Sequence, residues 1–107
     1  MIRQPKCKIT VIKRSLNKDI IDAYMNPEMK THSLCSKVKE GDEFLIYSEF
    51  DMPENFCPWA WADIRQDILA IISGAQFPWI GLKGVTISGC TDWFRPVLFK
   101  IEKLQGS

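Results

Sequence analysis

Apolar and polar residues alternate in four segments of the chain, and this alternation predicts four β-strands. The segments span residues 7–14, 43 to about 48, 85–90 and 95–104. The spacer between the last two is short, which predicts an antiparallel hairpin. Pro96 indicates that the second strand of this hairpin begins at a sheet edge or at a bulge, because proline has no N–H to donate.

Helical spacing of apolar residues marks two further segments. A short helix is expected around Ile20 and Tyr24, with Ser15 or Asn17 as its cap and Pro27 closing it. A longer helix should follow in the second segment, and its apolar stripe consists of Trp61, Ile64, Ile68, Ile71, Ile72 and Ala75.

The stretch CPWAWADI, residues 57–64, begins the longer helix. Pro58 suits the first helical position, since its fixed φ is compatible with a helix and its missing N–H is not needed there. Cys57 is therefore the expected N-cap. The helix should run to about Ser73, before Gly74 stops it.

The predicted order is β-α-β-α-β-β, which indicates an α+β fold rather than a doubly wound one. We expect a four-stranded, mostly antiparallel or mixed sheet with the long helix packed on one face. Several strands are apolar on both faces, so a sheet that curls into a partial barrel is an alternative. The length of 107 residues fits one domain, residues 1–107, with an ordered core of about 6–103.

Charge and composition exclude several classes of function. The formal net charge is +1, so nothing favours a nucleic-acid or anionic-membrane partner. No apolar run is long enough for a spanning helix. The first residues lack the uninterrupted apolar core of a signal peptide, so the sequence predicts a cytoplasmic protein with reduced thiols.

Reactive and aromatic residues concentrate at the start of the long helix and in the last hairpin. Cys57 would lie at a helix N-terminus, where the dipole favours a thiolate. Asp92 and Arg95 follow Cys90 at the hairpin turn. We expect the two regions to share a rim, with tryptophans walling an apolar pocket. The predicted catalytic residues are Asp63, Asp92 and Cys57, and the predicted ligand-binding residues are Trp59, Trp79, Cys90, Trp93 and Arg95.

Each of these residues also has a purely structural interpretation. Cys57 can simply cap and pack. Asp63 can be a solvated helix residue or pair with Arg95 or a lysine, and Asp92 can be an ordinary turn former. Arg95 can stack on Trp93. The tryptophans in loops carry the stronger functional hint, because an exposed apolar ring needs a cover.

Three hypotheses about function follow. The first is a pocket for a small apolar molecule, including a small acid–base enzyme such as an isomerase, cyclase or hydrolase. A carboxylate buried among indoles can move protons near neutrality.

The second hypothesis is a thiol-based metal or redox site using Cys35, Cys57 and Cys90, with Cys7 or His32. The spacing of these residues matches no known metal motif, so no cofactor is predicted. The third is a structural or accessory subunit, and self-association stays open.

The blocks C-x-W-A-W-x-D-I, residues 57–64, and C-T-D-x-x-R-P-V-x-F, residues 90–99, resemble a family of small, uncharacterised, single-domain proteins from bacteria and archaea. The resemblance spans residues 6–102 and implies a stand-alone domain without an assigned reaction. The chain departs from the family at three places. Gly89-Cys90 replaces a Cys-Cys pair, Trp93 replaces a small glycine, and Arg65 replaces an aromatic residue. The first departure weakens a vicinal-dithiol mechanism, and the second alters the hairpin tip.

Overall fold

The computed structural model describes residues 3–104 and confirms the α+β class. It contains four strands and two helices in the predicted order. Their bounds are β1 Cys7–Arg14, α1 Lys18–Tyr24, β2 Glu43–Ile46, α2 Pro58–Ile72, β3 Val85–Gly89 and β4 Val97–Lys103. Neither helix of this part of the chain has the length and apolar character needed to cross a membrane.

The four strands form one open antiparallel sheet in the order β2-β1-β4-β3. In the register, Cys7 of β1 faces both Ile46 of β2 and Lys103 of β4. β3 and β4 form the predicted hairpin. The sheet is not mixed and does not close into a partial barrel, because β2 and β3 are its edges.

Of the two alternatives predicted for Pro96, an edge or a bulge, the edge was wrong, because β4 lies between β1 and β3. Pro96 immediately precedes the strand, so its missing N–H takes no ladder position. Its carbonyl accepts a hydrogen bond from the Ser15 N–H at 2.9 Å. The irregularity in this region falls on the neighbouring strand, where the β1–β4 register shifts between Val11 and Lys13.

The core lies between α2 and one face of the sheet. The three inward positions of β1 and the three inward positions of β4 are almost fully buried, as is the inner side of α2. This core contains Cys7, Ile9, Val11, Ala60, Ile64, Ile68, Ile71, Val97, Phe99 and Ile101, with Val38, Ile46 and Phe56 at its margin. Each fully buried isoleucine contributes roughly 1.5–3 kcal/mol relative to its exposed form. The sequence-predicted Trp61 packs against this core, edge-on to Phe56.

The opposite face of the sheet combines charged side chains with exposed apolar ones such as Leu45 and Ile87. Lys8 pairs with Glu43 at 3.3 Å and with Glu102 at 3.8 Å, and Lys100 also reaches Glu102 at 3.3 Å. Ion pairs between partly exposed side chains of this kind contribute about 1 kcal/mol or less each.

The long helix begins and ends at the predicted signals. Cys57 is the N-cap and Pro58 the first helical residue. Ser73 is the C-cap, and Gly74 adopts a φ of +93°, in the left-handed region that favours glycine. This placement brings the first turn of α2 next to the loop 90–96 between β3 and β4.

Candidate functional site

A cavity of about 130 Å³ lies where three segments of the chain meet: the loop 25–42, the first turn of α2, and the loop 90–96. We call it the thiol cavity, because three of the four cysteines line it. Its walls are formed by Cys35, Lys37, Val38, Cys57, Trp59, Ala60, Cys90, Asp92, Arg95, Val97 and Phe99. The floor is the hydrophobic core itself, since Val38, Ala60, Val97 and Phe99 belong to both.

Five of the eight residues predicted for the site line this cavity together. They are Cys57, Trp59, Cys90, Asp92 and Arg95. Cys35, which the sequence suggested only for a metal site, joins them. Lys37 was missed, because a lysine in an irregular loop carries no pattern that would place it at a cavity.

Asp63 does not line the cavity, but it holds the residues that do. Its Oδ2 atom accepts hydrogen bonds from the Thr91 backbone N–H at 2.6 Å and from the Thr91 hydroxyl at 3.0 Å. The Thr91 hydroxyl in turn accepts a hydrogen bond from Trp59 Nε1 at 2.7 Å. The chain Asp63–Thr91–Trp59 thus fixes the indole at the rim and ties α2 to the loop 90–96.

Asp92 has the turn-forming role that was the structural alternative for it. Its Oδ1 atom accepts hydrogen bonds from the backbone N–H groups of Phe94 at 3.2 Å and Arg95 at 3.1 Å. Its Oδ2 atom lies 3.5 Å from Arg95 Nε. The arginine side chain is about one-third exposed, and its Nε forms no hydrogen bond within residues 3–104. The guanidinium therefore stands at the cavity with only a long ion pair.

Two of the three cavity cysteines, Cys90 and Cys35, are anchored by hydrogen bonds of different kinds. Cys90 Sγ accepts a hydrogen bond from the Val97 N–H at 3.4 Å. The carbonyl of Cys35 accepts a hydrogen bond from Arg14 Nη1 at 2.8 Å, and Arg14 also pairs with Glu40. Hydrogen bonds from its own backbone and from the Arg14 side chain lower the pKa of Glu40.

Cys57 has its own environment at the N-terminus of α2. The first intrahelical hydrogen bond runs from the Trp61 N–H to the Cys57 carbonyl at 2.9 Å. The N–H groups of Trp59 and Ala60 come before it, and the Cys57 side chain does not cap them. Both residues line the thiol cavity.

The fourth cysteine, Cys7, is remote from the cavity and has a different character. It is fully buried in β1. Burial, reinforced by the negative charge of Glu49, raises its thiol pKa from 9.0 to about 12. Cys7 is therefore a core hydrophobe.

A wider outer groove adjoins the thiol cavity, and Trp59 and Asp92 line both. Trp93, 68% exposed, lines the groove and not the cavity. Tyr24 of α1 also lines the groove. Asn17, the N-cap of α1, connects this helix to the loop 90–96: its Nδ2 donates to the Trp93 carbonyl at 2.6 Å, and its backbone N–H donates to the Phe94 carbonyl at 2.9 Å.

Trp79 lies outside both the cavity and the groove. Its ring packs against Phe77 with centroids 5.4 Å apart in the loop 73–84, and it is 76% exposed. This exposed loop is the feature that would serve an accessory subunit, but nothing in the structure shows what covers it.

His32 does not line the thiol cavity, and its Nε2 contacts Asp22 Oδ1 at 2.7 Å. This hydrogen bond is the main reason why the pKa of Asp22 lies below its ordinary value. Within residues 3–104, no group of three or more His, Cys, Asp or Glu side chains is arranged to hold a metal ion. The three cysteines thus share a cavity without forming a ligand set.

No family model matches the sequence, and comparisons with curated proteins and with solved structures give no significant match. What the fold and the site define is an α+β protein with a small, thiol-lined cavity. The resemblance drawn from the two sequence blocks stays a prediction.

Proposed function

We propose that the protein binds a small molecule in the thiol cavity, and that this molecule has a compact apolar body and one negative charge. The observation that carries the proposal is the convergence of separate segments on one apolar cavity. Cys35, Cys57 and Cys90 belong to three different parts of the chain, yet they line the same space. Small-molecule sites have this composition, with apolar walls and a few polar groups.

The size of the cavity limits the body of the ligand. A volume of about 130 Å³ is close to the ~150 Å³ of an apolar cavity that accommodates benzene. A single ring or a branched chain of similar volume fits. A larger ligand would have to extend into the outer groove past Trp59, which lines both spaces.

The charges at the cavity favour an anion. Lys37 and Arg95 are cationic, and Asp92 is the one acidic residue among the lining residues. The Asp92 carboxylate already interacts with Arg95 and with two backbone N–H groups. Lys37 forms no ion pair in the part of the chain that the structure describes, so the mouth carries one uncompensated positive charge. A carboxylate on the ligand would neutralise it.

Acid–base catalysis by Asp63 or Asp92 is the less favoured form of this function. A general base must reach the proton that it abstracts. The Asp63 carboxylate is engaged with Thr91 and does not line the cavity, and the Asp92 carboxylate is engaged with its own turn. We therefore propose that these two residues hold the site and that the cationic residues bind the ligand.

Binding can be tested with benzoate and with benzamide, its neutral counterpart. We expect benzoate to shift the NMR signals of the loop 90–96 and to bind about fivefold more tightly than benzamide, because one added ion pair at a partly exposed site contributes about 1 kcal/mol. Lys37→Gln should remove this preference. Lys13→Gln, which changes an exposed lysine of β1, is the matched control. Equal affinity for both probes, or shifts confined to another surface, would contradict the proposal.

A further inference from the structure

We propose that Cys57 is a nucleophile that captures a small anionic carbonyl compound, an aldehyde or 2-oxo acid, as a reversible thiol adduct. The inference rests on the proposed function, because it assigns a reacting group to the same cavity. Its basis is the presence of three free thiols at one apolar space with two cations at the mouth. Cations that favour a carboxylate would bring the adjacent carbonyl carbon to the thiols.

The chemistry needs no partner beyond the ligand. The Cys57 sulfur forms a bond to the carbonyl carbon, and the π electron pair of the C=O bond moves to the oxygen. The proton of the thiol ends on that oxygen, which gives a hemithioacetal from an aldehyde or a hemithioketal from a 2-oxo acid. No electrons enter or leave, so neither an oxidant nor a reductant is required.

Cys57 is the best placed of the three thiols. Cys90 Sγ already accepts the Val97 N–H and so serves the loop. Cys57 is instead the N-cap of α2, and its side chain forms no capping hydrogen bond, so its sulfur is not committed to the backbone. Trp59 and Ala60, whose N–H groups the Cys57 side chain does not cap, line the same cavity. Donors of this kind can stabilise the negative charge that develops on the carbonyl oxygen of a ligand during attack.

The first experiment compares two alkylating probes on the wild-type protein. Iodoacetate and iodoacetamide both transfer a carbon to the sulfur and release iodide, but only iodoacetate is anionic. Peptide mass spectrometry then gives a rate for each cysteine. We expect Cys57 to react first. The ratio of its rate with iodoacetate to its rate with iodoacetamide should be about tenfold higher than the same ratio for the free thiol of glutathione. The reason is that a positive site raises the local concentration of an anion by this order. The buried Cys7 should stay unmodified and serves as the internal control.

The second experiment detects the reversible adduct directly. Glyoxylate labelled with ¹³C should give an additional protein-dependent signal for the tetrahedral carbon. Cys57→Ser should remove this signal, whereas Cys90→Ser should keep it. Circular dichroism checks that both variants fold. The alkylation rates need no variant, so a misfolded Cys57→Ser protein does not prevent the test.

The outcomes separate this inference from the proposed function. If benzoate binds but Cys57 reacts no faster than Cys35 and Cys90, the nucleophile is wrong and the binding site stands. If Cys57 reacts fast without any preference for the anionic probe, and benzoate does not protect it, the ligand class is wrong. Rapid anion-selective reaction at Cys57 that benzoate suppresses would support both.

Discussion

The hydrogen bonds of Asp63 allow a test that separates a positioning role from a direct catalytic role. In the variant Asp63→Asn, the side chain keeps its shape and one oxygen acceptor but loses its charge. Hydrogen bonds to charged groups contribute about 1.5–3 kcal/mol, against about 0.5–1.5 kcal/mol for neutral pairs. The carboxylate accepts two such bonds from Thr91, at 2.6 and 3.0 Å. With a discount for its partial exposure, the expected loss of folding free energy is about 1–2 kcal/mol.

Thermal unfolding gives the first readout of this variant. A loss of about 1 kcal/mol lowers the melting temperature of a domain of this size by roughly 4–8 °C. The matched control is Asp51→Asn, because Asp51 is exposed in the connection between β2 and α2. It should leave the melting temperature within a degree or two of wild type, as surface substitutions change stability by about 0.5 kcal/mol or less.

The second readout is the environment of Trp59, whose Nε1 depends on the same threonine. Asp63→Asn should alter the indole N–H signal of Trp59 in NMR. It should also weaken benzoate binding without abolishing it, because the loop 90–96 loses hydrogen bonds that hold it against α2. A double-mutant cycle with Thr91→Val should show strong coupling between the two positions. Unchanged stability together with complete loss of binding or activity would refute the positioning role and restore Asp63 as a group that acts on the ligand.

Two further predictions concern the framework around the site. A Cβ built at Gly89 would meet Leu98 Cδ2 at 2.9 Å and the Val97 carbonyl oxygen at 3.1 Å. The exposed leucine end can rotate away, but the Val97 carbonyl accepts the Cys90 N–H within the hairpin, so Gly89→Ala should cost about 1 kcal/mol in urea unfolding. Gly81→Ala, with open space around it, should not, and equal stability of the two variants would argue against close packing of the hairpin. The Cys7 thiol releases its proton at a pKa of about 12 when folded and near 9.0 when unfolded. The stability that it provides is therefore complete below pH 9 and declines as the pH rises from 9 to 12. The unfolding free energy should fall less steeply with pH across this range in Cys7→Ala than in wild type. Identical slopes in the two proteins would contradict the raised pKa of the Cys7 thiol.

Local patterns in the sequence were enough to predict the elements of this fold. β1 was bounded correctly because its alternation is uninterrupted, and α2 because proline and glycine mark its two ends. The sheet order was not predictable in the same way. Pro96 suggested an edge, but the position of β4 in the sheet depends on its pairing with β1, far away in the sequence.

The candidate site shows the same division between local and distant information. Cys57, Trp59 and Asp92 could be singled out from composition and from their places at a helix start and a turn. The role of Asp63 could not, because its partner Thr91 is 28 residues away. Trp79 was assigned to the pocket because a large apolar ring on a loop needs a cover, yet its ring packs against Phe77 in its own loop. Sequence patterns therefore identify which residues are unusual, and only tertiary contacts decide which of them meet.

The pairing of β1 with β4 has a consequence for how the protein reaches its native state. These two central strands, Cys7–Arg14 and Val97–Lys103, lie near opposite ends of the described chain. Closing a loop of roughly 80–90 residues costs about 4 kcal/mol in its length-dependent part alone, and such non-local pairing slows folding. During synthesis, more than 80 residues must follow β1 before β4, its main partner, exists (Arg14 pairs with Val97). The floor of the thiol cavity that Val97 and Phe99 provide belongs to β4, so the cavity cannot be complete until β4 has paired with β1.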